Sequence, residues 1–485
     1  MGNKIKMILA CVVISLLVLG LMGFQSHWQS THSVREQEEK QEPSQPAPSA
    51  SYDLVFETNL PIIAIETDGQ EIPYGIDIQS RLYVYDSPEG GNCVENLPEL
   101  CISSTIHSRG QSSARFEKKS YGLEFYREEN GKKLDVSVLG MAAGHDWVLN
   151  GPYLDKSLMR NAFSYSLARS IMFYAPDTRY CEVYLNGEYM GLYLLIEAPR
   201  ITETRINLSE TALASGETSY LLQRNRTWES RVYTQLVGEK LREPGPAGID
   251  TDTDWLNTFG LRSGTVQVPF FVVSPNTKDI TAAQFRYIEN DISTFERALY
   301  ADFFTDEEKG YRRYIDLDSF AQYYLLAELS MNIDSGFYST YVCKDVNGKL
   351  LMGPVWDFNN AYNNYVQQET DPEDGLVIAD NNWFSQMTRD RVFVDAVVEA
   401  WQQLRQSVLS EENMLRYLDE TEQYLGDAIA RNNQRWGRIF AMNMLTGDRD
   451  SGSYEQAQAQ LRDFLLRRVR YLDDNLNRLY VNCVN

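Results

Sequence analysis

The alternation of apolar and polar positions predicts strands through most of the first half of the folded chain. The stretch "LPIIAIETDGQEI" alternates and then turns at Asp68-Gly69, which is typical of a strand entering a hairpin. The segment "YMGLYLLIE" predicts another strand. Further strand-like segments lie around residues 81–85, 122–126 and 181–185. One helix is predicted among these strands, in "LDKSLMRNAFSYSLARSI", with Asp155 as its N-cap.

Helical spacing of apolar residues dominates the second half. The stretch "VQVPFFVVSP" predicts one strand, and "DITAAQFRYIENDISTFERALY" predicts an amphipathic helix. A second helix is predicted in "IDLDSFAQYYLLAELSMN", capped by Asp318. After Asn382 the pattern is nearly all helical. Residues 202–266 are mixed, polar and turn-rich, and we interpret them as an insertion between the two halves.

The N-terminus has the pattern of a membrane anchor. Lys4 and Lys6 precede an uncharged apolar run at residues 7–24, which is near the lower length limit for crossing a bilayer. The lysines predict a cytoplasmic N-terminus with the rest of the chain exported. No small-x-small cleavage site follows the run, which favours a retained signal anchor over a cleaved peptide. The Pro-, Gln-, Glu- and Ser-rich residues that follow, up to residue 53, predict a disordered stalk.

Composition narrows the possible partners. The chain has 485 residues, enough for a two-lobed enzyme, and its net charge of −23 makes nucleic acid an unsuitable partner because phosphate backbones need cationic surfaces. An acidic surface suits a cationic protein substrate and is also a common solubility device. With four histidines and no Cys/His pattern of a zinc site, a histidine-metal enzyme is disfavoured.

A hairpin in the second half predicts that two aspartates meet. In "NIDSGFYSTYVCKDVNGKLLMGPVWDFNN", two short strands flank the Asn347-Gly348 turn, a strong hairpin signal. A hairpin returns the chain to its start, so Asp334 and Asp357, at its open ends, should lie close together. Paired aspartates on short loops are what a phosphoryl-transfer site needs, one acting on the acceptor hydroxyl and one holding Mg²⁺. The alternative is two unrelated aspartates that cap backbone amides.

Four linked motifs give the chain a resemblance to a known family. They are "SRGQSSARFEKKSYGLEFY", "LGMAAGHDWVLNGPYLDKSLMRN", "YCEVYLNGEYMGLYLLIE" and the paired-aspartate segment that ends in "MGPVWDFNNAYNN". Together they resemble the CotH kinase family, named for spore coat protein H, over most of the chain from about Leu60 to Arg391. The resemblance implies an α+β, two-lobed atypical protein-kinase-like fold, with a β-rich N-terminal lobe and a helix-rich C-terminal lobe after the transmembrane helix.

The resemblance completes the predicted layout. Its parts are a cytoplasmic N-terminus (1–6), a transmembrane signal anchor (7–24), a disordered stalk (25–53), a β-rich N-lobe (54–201), an insertion (202–266) and a helical C-lobe with the catalytic hairpin (267–485).

Carried over position by position, the resemblance implies roles for individual residues. Asp334 is the implied catalytic acid, and Asp357 is the implied Mg²⁺ ligand, similar to the aspartate of the kinase Asp-Phe-Gly motif. A kinase-like fold keeps a phosphate-binding lysine in its N-terminal lobe. Side chains alternate along a strand, so only one of Lys118 and Lys119 should face the cleft, and we choose Lys119. The softer candidates for cofactor binding are Arg109, Arg160, Asn161 and Glu197.

Three departures from the kinase pattern concern the second metal and the phosphates. The position five residues after Asp334 is Ser339, where many relatives have a metal-binding asparagine. A hydroxyl is a weaker Mg²⁺ ligand than an amide oxygen, so we expect Asn359 or Asn332 to hold the second metal, or that metal to be weakly bound. Asn359 also replaces the glycine of the Asp-Phe-Gly motif. No G-x-G-x-x-G phosphate loop is evident.

The sequence therefore predicts a protein Ser/Thr kinase that uses ATP and Mg²⁺, with Mn²⁺ as a substitute. Its expected partners are an exported or surface protein and, through the N-terminal helix, the membrane. The alternative from another class is a catalytically silent, surface-anchored binding or scaffold protein on the same fold. A metal-dependent hydrolase is a third reading, disfavoured by the scarcity of histidines and of dense acidic clusters.

Overall fold

A closed barrel is the main feature of the N-terminal half in the computed structural model. The residues that the structure describes are 50–110, 112–209, 212–225, 248–249, 270–276, 279–381 and 383–484. The barrel strands are β1 Ile62–Glu66, β2 Ile78–Tyr85, β3 Leu100–Arg109, β4 Ser120–Phe125, β5 Asp146–Asn150, β6 Thr178–Leu185 and β7 Glu188–Glu197. Their order around the described barrel is β1-β2-β3-β4-β5-β7-β6, and β1 closes it by running parallel to β6, with Ile62 opposite Glu182.

The first strand shows how the sequence builds this barrel. All of its residues except the terminal Glu66 are buried, because both of its faces are covered. Ile63 and Ile65 pack into the barrel interior with Trp147, whereas Ile62 and Ala64 pack in a second cluster on the other face. A strand covered on both sides reads as a continuous apolar run, which is the pattern of "PIIAI".

Helix α1, Arg160–Ile171, connects β5 to β6 and begins later than the sequence suggests. Asp155, the predicted N-cap, lies before the helix, where Met159 takes the N-cap position without a side-chain hydrogen bond. The Asp155 carboxylate still serves the helix start, since it accepts the backbone N–H of Arg160 at 2.8 Å and the Arg160 guanidinium at 2.6 Å.

A second sheet contributes to the C-terminal half. Its strands are β8 Tyr220–Arg224, β9 Gly248–Ile249, β10 Phe270–Ser274, β11 Thr340–Lys344 and β12 Leu351–Met352. In the described residues their order is β12-β11-β8-β10-β9, so β8 is the central strand. Part of the segment treated as an insertion, residues 202–266, thus supplies the middle of this sheet. Most of the remainder of that segment lies outside the described residues.

The helices of the second half pack around one large apolar core. They are α2 Ala282–Tyr300, α3 Leu317–Ser330, α4 Phe384–Met387, α5 Arg391–Arg405, α6 Glu411–Leu425, α7 Asp427–Trp436 and α8 Tyr454–Asn475. Short 3₁₀ segments lie at Ser112–Arg115, Tyr311–Arg313, Gly437–Ala441 and Leu476–Asn482. The cap of α3 is Asp316, whose side chain accepts the Ser319 N–H, and the predicted cap Asp318 lies in the first turn. Capping needs an extended residue before the helix, which Asp316 is.

Helix α7 fastens the C-terminal half to the outside of the barrel. Arg431 donates from Nε and Nη2 to both carboxylate oxygens of Glu182 on β6, at 2.8 and 2.7 Å. At the next position of this helix, Asn432 Oδ1 accepts from the buried Lys118 ammonium at 2.7 Å and from the Leu192 N–H at 3.2 Å. These polar contacts fix the helix against the barrel wall at the level of β6 and β7.

The structure corrects the predicted fold class. The strand-rich half does not form a kinase-like N-terminal lobe; the described chain is α+β, with a closed seven-stranded barrel and a helical region that carries its own sheet. The physical reason is the β1–β6 pairing, which joins strands far apart in sequence and leaves no signal in the local alternation. Within the described residues, no helix has the length and apolar character needed to cross a bilayer. The predicted anchor, residues 7–24, lies outside those residues.

Candidate active site

The β11–β12 hairpin brings Asp334 and Asp357 into one cleft. Val342 pairs with Met352 and Cys343 with Leu351, and Asn347 takes a left-handed conformation (φ 61°) at the turn. The chain therefore returns to its start, as the sequence predicted. Both aspartates line a cleft of about 150 Å³.

This cleft is formed by the ends of strands from both halves of the protein. The barrel contributes Arg109 at the end of β3 and Asn150 at the end of β5, and the second sheet contributes Gln223 on β8. The loop after α3 adds Asp334 and the loop after β12 adds Asp357. The aspartates thus face side chains from a rigid scaffold across the cleft.

The aromatic neighbours of Asp357 hold its backbone in an unusual conformation. Asp357 has a φ of 62°, in the left-handed region that few non-glycine residues adopt. Its N–H donates to the Tyr165 hydroxyl at 3.2 Å. The buried Tyr165 ring packs against Trp356 and Phe358, with centroids 5.9 and 6.0 Å away. The two aromatic residues that flank Asp357 in the sequence therefore anchor the carboxylate.

Electrostatics around Asp357 favour a bound cation. Burial raises the pKa of the Asp357 carboxyl, and the negative charge of Asp334 raises it further. A hydrogen bond from Asn359 Nδ2, at 2.7 Å, the charge of Arg109 and a hydrogen bond from the Asn359 backbone N–H act in the opposite direction on this pKa. Asp334 in turn accepts from Asn360 Nδ2 at 3.1 Å. A divalent cation between the two carboxylates would relieve their mutual repulsion.

The donors near the paired aspartates are mostly amides and hydroxyls. Among the described residues there is no group of three or more His, Cys, Asp or Glu side chains that could hold a metal. Asn332 is buried and donates from Nδ2 to the Asp357 carbonyl at 3.3 Å, and its Oδ1 has no hydrogen-bond partner among the residues that the structure describes. Ser339 lines the cleft with a φ of 50°. A cation here would have two carboxylates and neutral oxygens as protein ligands.

A comparison of the sequence with protein families identifies the chain. The CotH kinase protein family matches residues 106–472, which is most of the chain and includes both aspartates. The chain belongs to the CotH kinase family. No curated protein matches it. The family assignment gives this CotH protein a kinase-like function in general terms.

Arg109 is the predicted cofactor-binding residue that the CotH cleft includes. Its guanidinium lies over the Trp356 ring, 5.6 Å from the centroid, beside Asp357. A guanidinium stacked on an aromatic ring keeps its edge N–H groups available for phosphate oxygens. The structure thus places a cationic side chain in the same cleft as the aspartates.

Three other predicted cofactor-binding residues do not line the cleft that the described residues form. The Lys119 ammonium donates to the Ala114 carbonyl at 2.6 Å. Arg160 is buried beneath the loop after Asp357, in its ion pair with Asp155. Glu197 ends β7, where its carboxylate accepts the Asp177 N–H at 2.9 Å and lies 3.9 Å from Arg205.

The remaining candidates, Asn161 and Asn359, lie in one chain of amides. Asn161 Oδ1 accepts the Phe358 N–H at 2.8 Å, and its Nδ2 donates to Asn359 Oδ1 at 2.9 Å. Asn359 lines the cleft and presents its own Nδ2 to Asp357. Asn161 therefore supports the cleft from below, and the Asn359 oxygen that would bind a metal is occupied by Asn161.

Sequence reasoning missed the polar wall opposite the aspartates. Gln223 lies on β8 and Asn225 directly follows that strand, within the segment that was interpreted as an insertion. Asn150 lies in the "WVLN" segment that supported the family resemblance, and its position at a strand end was the available signal. Phe116 and Tyr153, stacked with centroids 5.3 Å apart, add an aromatic side to the cleft.

Proposed function

We propose that this CotH protein is an ATP- and Mg²⁺-dependent phosphotransferase that phosphorylates Ser or Thr hydroxyls of a protein. The observation that carries the proposal is the presence of Asp334 and Asp357 in one cleft, on two loops that a hairpin holds together. Phosphoryl transfer is catalysed mainly by positioning and by electrostatic stabilisation, which such a cleft can supply.

The residues present fit a magnesium ion. Mg²⁺ takes oxygen ligands and usually binds one or two carboxylates together with substrate phosphates. Asp334, Asp357 and the unpartnered Asn332 Oδ1 supply oxygens of these kinds. When bound, Mg²⁺ would neutralise charge on the transferred phosphoryl group. In this assignment Asp357 holds the cation.

The chain's own residues would handle the acceptor and the phosphates. Asp334 would accept the proton of the acceptor hydroxyl, as the catalytic aspartate of a kinase does. Its carboxylate is oriented by Asn360 at 3.1 Å. Arg109, stacked on Trp356, would bind phosphate oxygens. Phe116 and Tyr153 offer a stacked aromatic surface in the same cleft.

One observation favours the silent binding protein instead. Of the described residues that line the cleft, none is a lysine, and Lys118 and Lys119 both direct their ammonium groups elsewhere. ATP binding here would then depend on Arg109 and metal ions. A protein that kept the fold but had lost the reaction would also lack a lysine in its cleft.

Transfer of labelled phosphate from ATP tests the proposal. The full-length protein is incubated with γ-labelled ATP and Mg²⁺ or Mn²⁺, with a Ser-rich basic protein as acceptor. We expect label in the parent and none with Asp334→Asn or Asp357→Ala. Asp302→Asn is the matched control, because Asp302 is exposed and does not line the cleft.

The two outcomes separate the alternatives. Label that is lost with both cleft variants and kept with the control supports the kinase. An unlabelled parent whose melting temperature does not respond to ATP or to metal supports the binding protein. Phosphoamino-acid analysis of the labelled acceptor then distinguishes Ser and Thr from Tyr.

The extracytoplasmic location expected from residues 1–24 stays a proposal. It is supported by the Lys4 and Lys6 charges and the apolar run that follows them. Protease treatment of intact cells tests it. Degradation of the folded domain in intact cells supports an external location, and protection until the cells are lysed contradicts it.

A further inference from the structure

A chain of three side-chain amides ends at Asp357. Asn150, at the end of β5, is followed by Asn161 in the first turn of α1 and by Asn359 in the cleft. Asn161 Nδ2 donates to Asn150 Oδ1 at 3.1 Å and to Asn359 Oδ1 at 2.9 Å. Asn359 Nδ2 donates to Asp357 Oδ1 at 2.7 Å. These three hydrogen-bonded amides thus link the barrel, helix α1 and Asp357, the candidate metal ligand.

The direction of these hydrogen bonds is fixed at a backbone group. Amide oxygens and nitrogens are normally assigned from their surroundings, because they can be exchanged by a flip. The Phe358 N–H can only donate, and it lies 2.8 Å from Asn161 Oδ1. Asn161 must therefore direct its Nδ2 toward Asn150 and Asn359. Asn359 must in turn accept with Oδ1 and donate to Asp357.

We propose that Asn161 is a positioning residue that orients the Asn359 amide, so that Asn359 Nδ2 donates to Asp357 Oδ1 and holds the carboxylate in the orientation that receives a cation. This inference rests on the proposed function for the role of the cation. It assigns Asn359 as a hydrogen-bond donor to the ligand, whereas the sequence predicted that Asn359 is itself a ligand. It also assigns a role to Asn161 without contact with the nucleotide.

Replacing Asn161 by aspartate reverses the amide chain with little change in size. The new carboxylate can still accept the Phe358 N–H, but it has no N–H for Asn359. Asn359 would then turn its Nδ2 toward residue 161 and its Oδ1 toward Asp357, where two oxygens repel each other. Changes in residues that orient metal ligands typically weaken metal binding by about ten- to a hundredfold.

Binding of Mn²⁺ alone, followed by electron paramagnetic resonance, tests the proposal. We expect Asn161→Asp to weaken Mn²⁺ binding at least about tenfold, although its added negative charge would by itself strengthen binding. Asn150→Asp is the matched variant: it adds the same charge yet keeps the acceptor that Asn161 needs, so we expect no weakening. Melting temperatures establish that the variants are folded.

Two results would overturn the assignment. Equal or tighter Mn²⁺ binding by Asn161→Asp would mean that the Asn359 oxygen is a ligand. Equal weakening by Asn161→Asp and Asn150→Asp would mean that the weakening does not depend on the direction of the Asn161 amide.

A measurement without metal separates this inference from the proposed function. In the metal-free parent, one Asn359 Nδ2 proton should resonate downfield because it binds a carboxylate, and it should return to the free-amide position in Asp357→Ala. A parent in which both protons are at the free-amide position overturns the inference, whatever its Mn²⁺ affinity. A downfield proton in a parent that binds no Mn²⁺ contradicts the proposed cation site alone.

Discussion

The fully buried ion pair between Glu328 and Arg468 gives the sharpest stability prediction. Glu328 lies in the last turns of α3, just before the loop that carries Asp334, and Arg468 lies on α8. Neither side chain is exposed, and Arg468 Nη2 donates to Glu328 Oε2 at 2.7 Å. The proposed perturbation is Arg468→Met, which keeps most of the side-chain volume.

The magnitude follows from what each partner would lose. Arg468 also donates to the carbonyls of Glu328, Pro372 and Gly375 at 2.9 to 3.0 Å. The carbonyls of Pro372 and Gly375 would lose this donor, while the Glu328 carbonyl keeps the Met331 N–H at 3.1 Å. Breaking a buried pair by removing one partner destabilises by about 3–5 kcal/mol. Burial raises the pKa of Glu328 and lowers the pKa of Arg468, so both charges are held against a desolvation penalty.

Other donors to Glu328 limit the loss. Its Oε1 accepts from the Tyr324 hydroxyl at 3.0 Å and from the N–H groups of Ile378 and Ala379 at 2.8 and 3.1 Å. We therefore expect about 4 kcal/mol for Arg468→Met, within the range for such pairs. Adding Glu328→Gln removes the uncompensated charge and should recover about half of this loss, because the carbonyls stay unpaired.

Urea unfolding followed by tryptophan fluorescence measures these differences. The parent, the single variant and the double variant are compared. Where the dependence of the unfolding free energy on urea concentration is the same, a shift in the urea midpoint reports a change in stability. A loss below about 1 kcal/mol for Arg468→Met would refute the reasoning, because it would mean that Glu328 is already neutral in the folded parent. A double variant no more stable than the single one would show that the carbonyls, and not the charge, carry the loss.

Two further predictions concern the barrel. His145 Nε2 lies 3.1 Å from Asp146 Oδ2, and this hydrogen bond is the main cause that raises the pKa of His145. The stabilisation from this hydrogen bond is therefore complete below the unfolded pKa of about 6.5 and is lost as pH rises through the raised pKa of His145. His145→Gln should consequently lower the melting temperature most in mild acid. A difference in melting temperature that does not depend on pH contradicts this. Arg431→Met should destabilise by about 3–5 kcal/mol because it removes the charge partner of the buried Glu182 carboxylate, which keeps only the Tyr189 hydroxyl as a side-chain donor among the described residues. Arg435→Met, at an exposed ion pair, should cost at most about 1 kcal/mol, and equal losses would contradict the reasoning.

The meeting of Asp334 and Asp357 could be predicted from sequence because it depends on local structure. The Asn347-Gly348 turn and two short strands are sufficient to return the chain to its start. Strands β1, β2, β4, β6 and β7 and the long helices were also predicted, since alternation and helical spacing are local properties, whereas β3, β5 and β8 were not predicted. Residues that are fixed by their own neighbours in the chain are therefore the ones that the sequence places well.

The positions of Lys119, Arg160 and Glu197 could not be predicted, because they depend on tertiary contacts. Lys119 was expected to lie within a strand, but β4 begins at Ser120, so alternation of faces does not apply to Lys118 and Lys119. Arg160, the first residue of α1, forms an ion pair with Asp155, which lies before the helix. The orientation of Asn359 depends on Asn161, which is distant in sequence.

The parallel pairing of β1 with β6 matters for the choice of recombinant fragments. The family match begins at residue 106, inside β3, whereas the barrel begins at Ile62. A fragment cut at the family boundary would lack β1 and β2 and would leave β6 with an open, hydrogen-bonding edge. Open edges pair with other chains, so such a fragment should aggregate. Expression from about residue 50 keeps every barrel strand and is the smaller unit to use for crystallisation and for labelling.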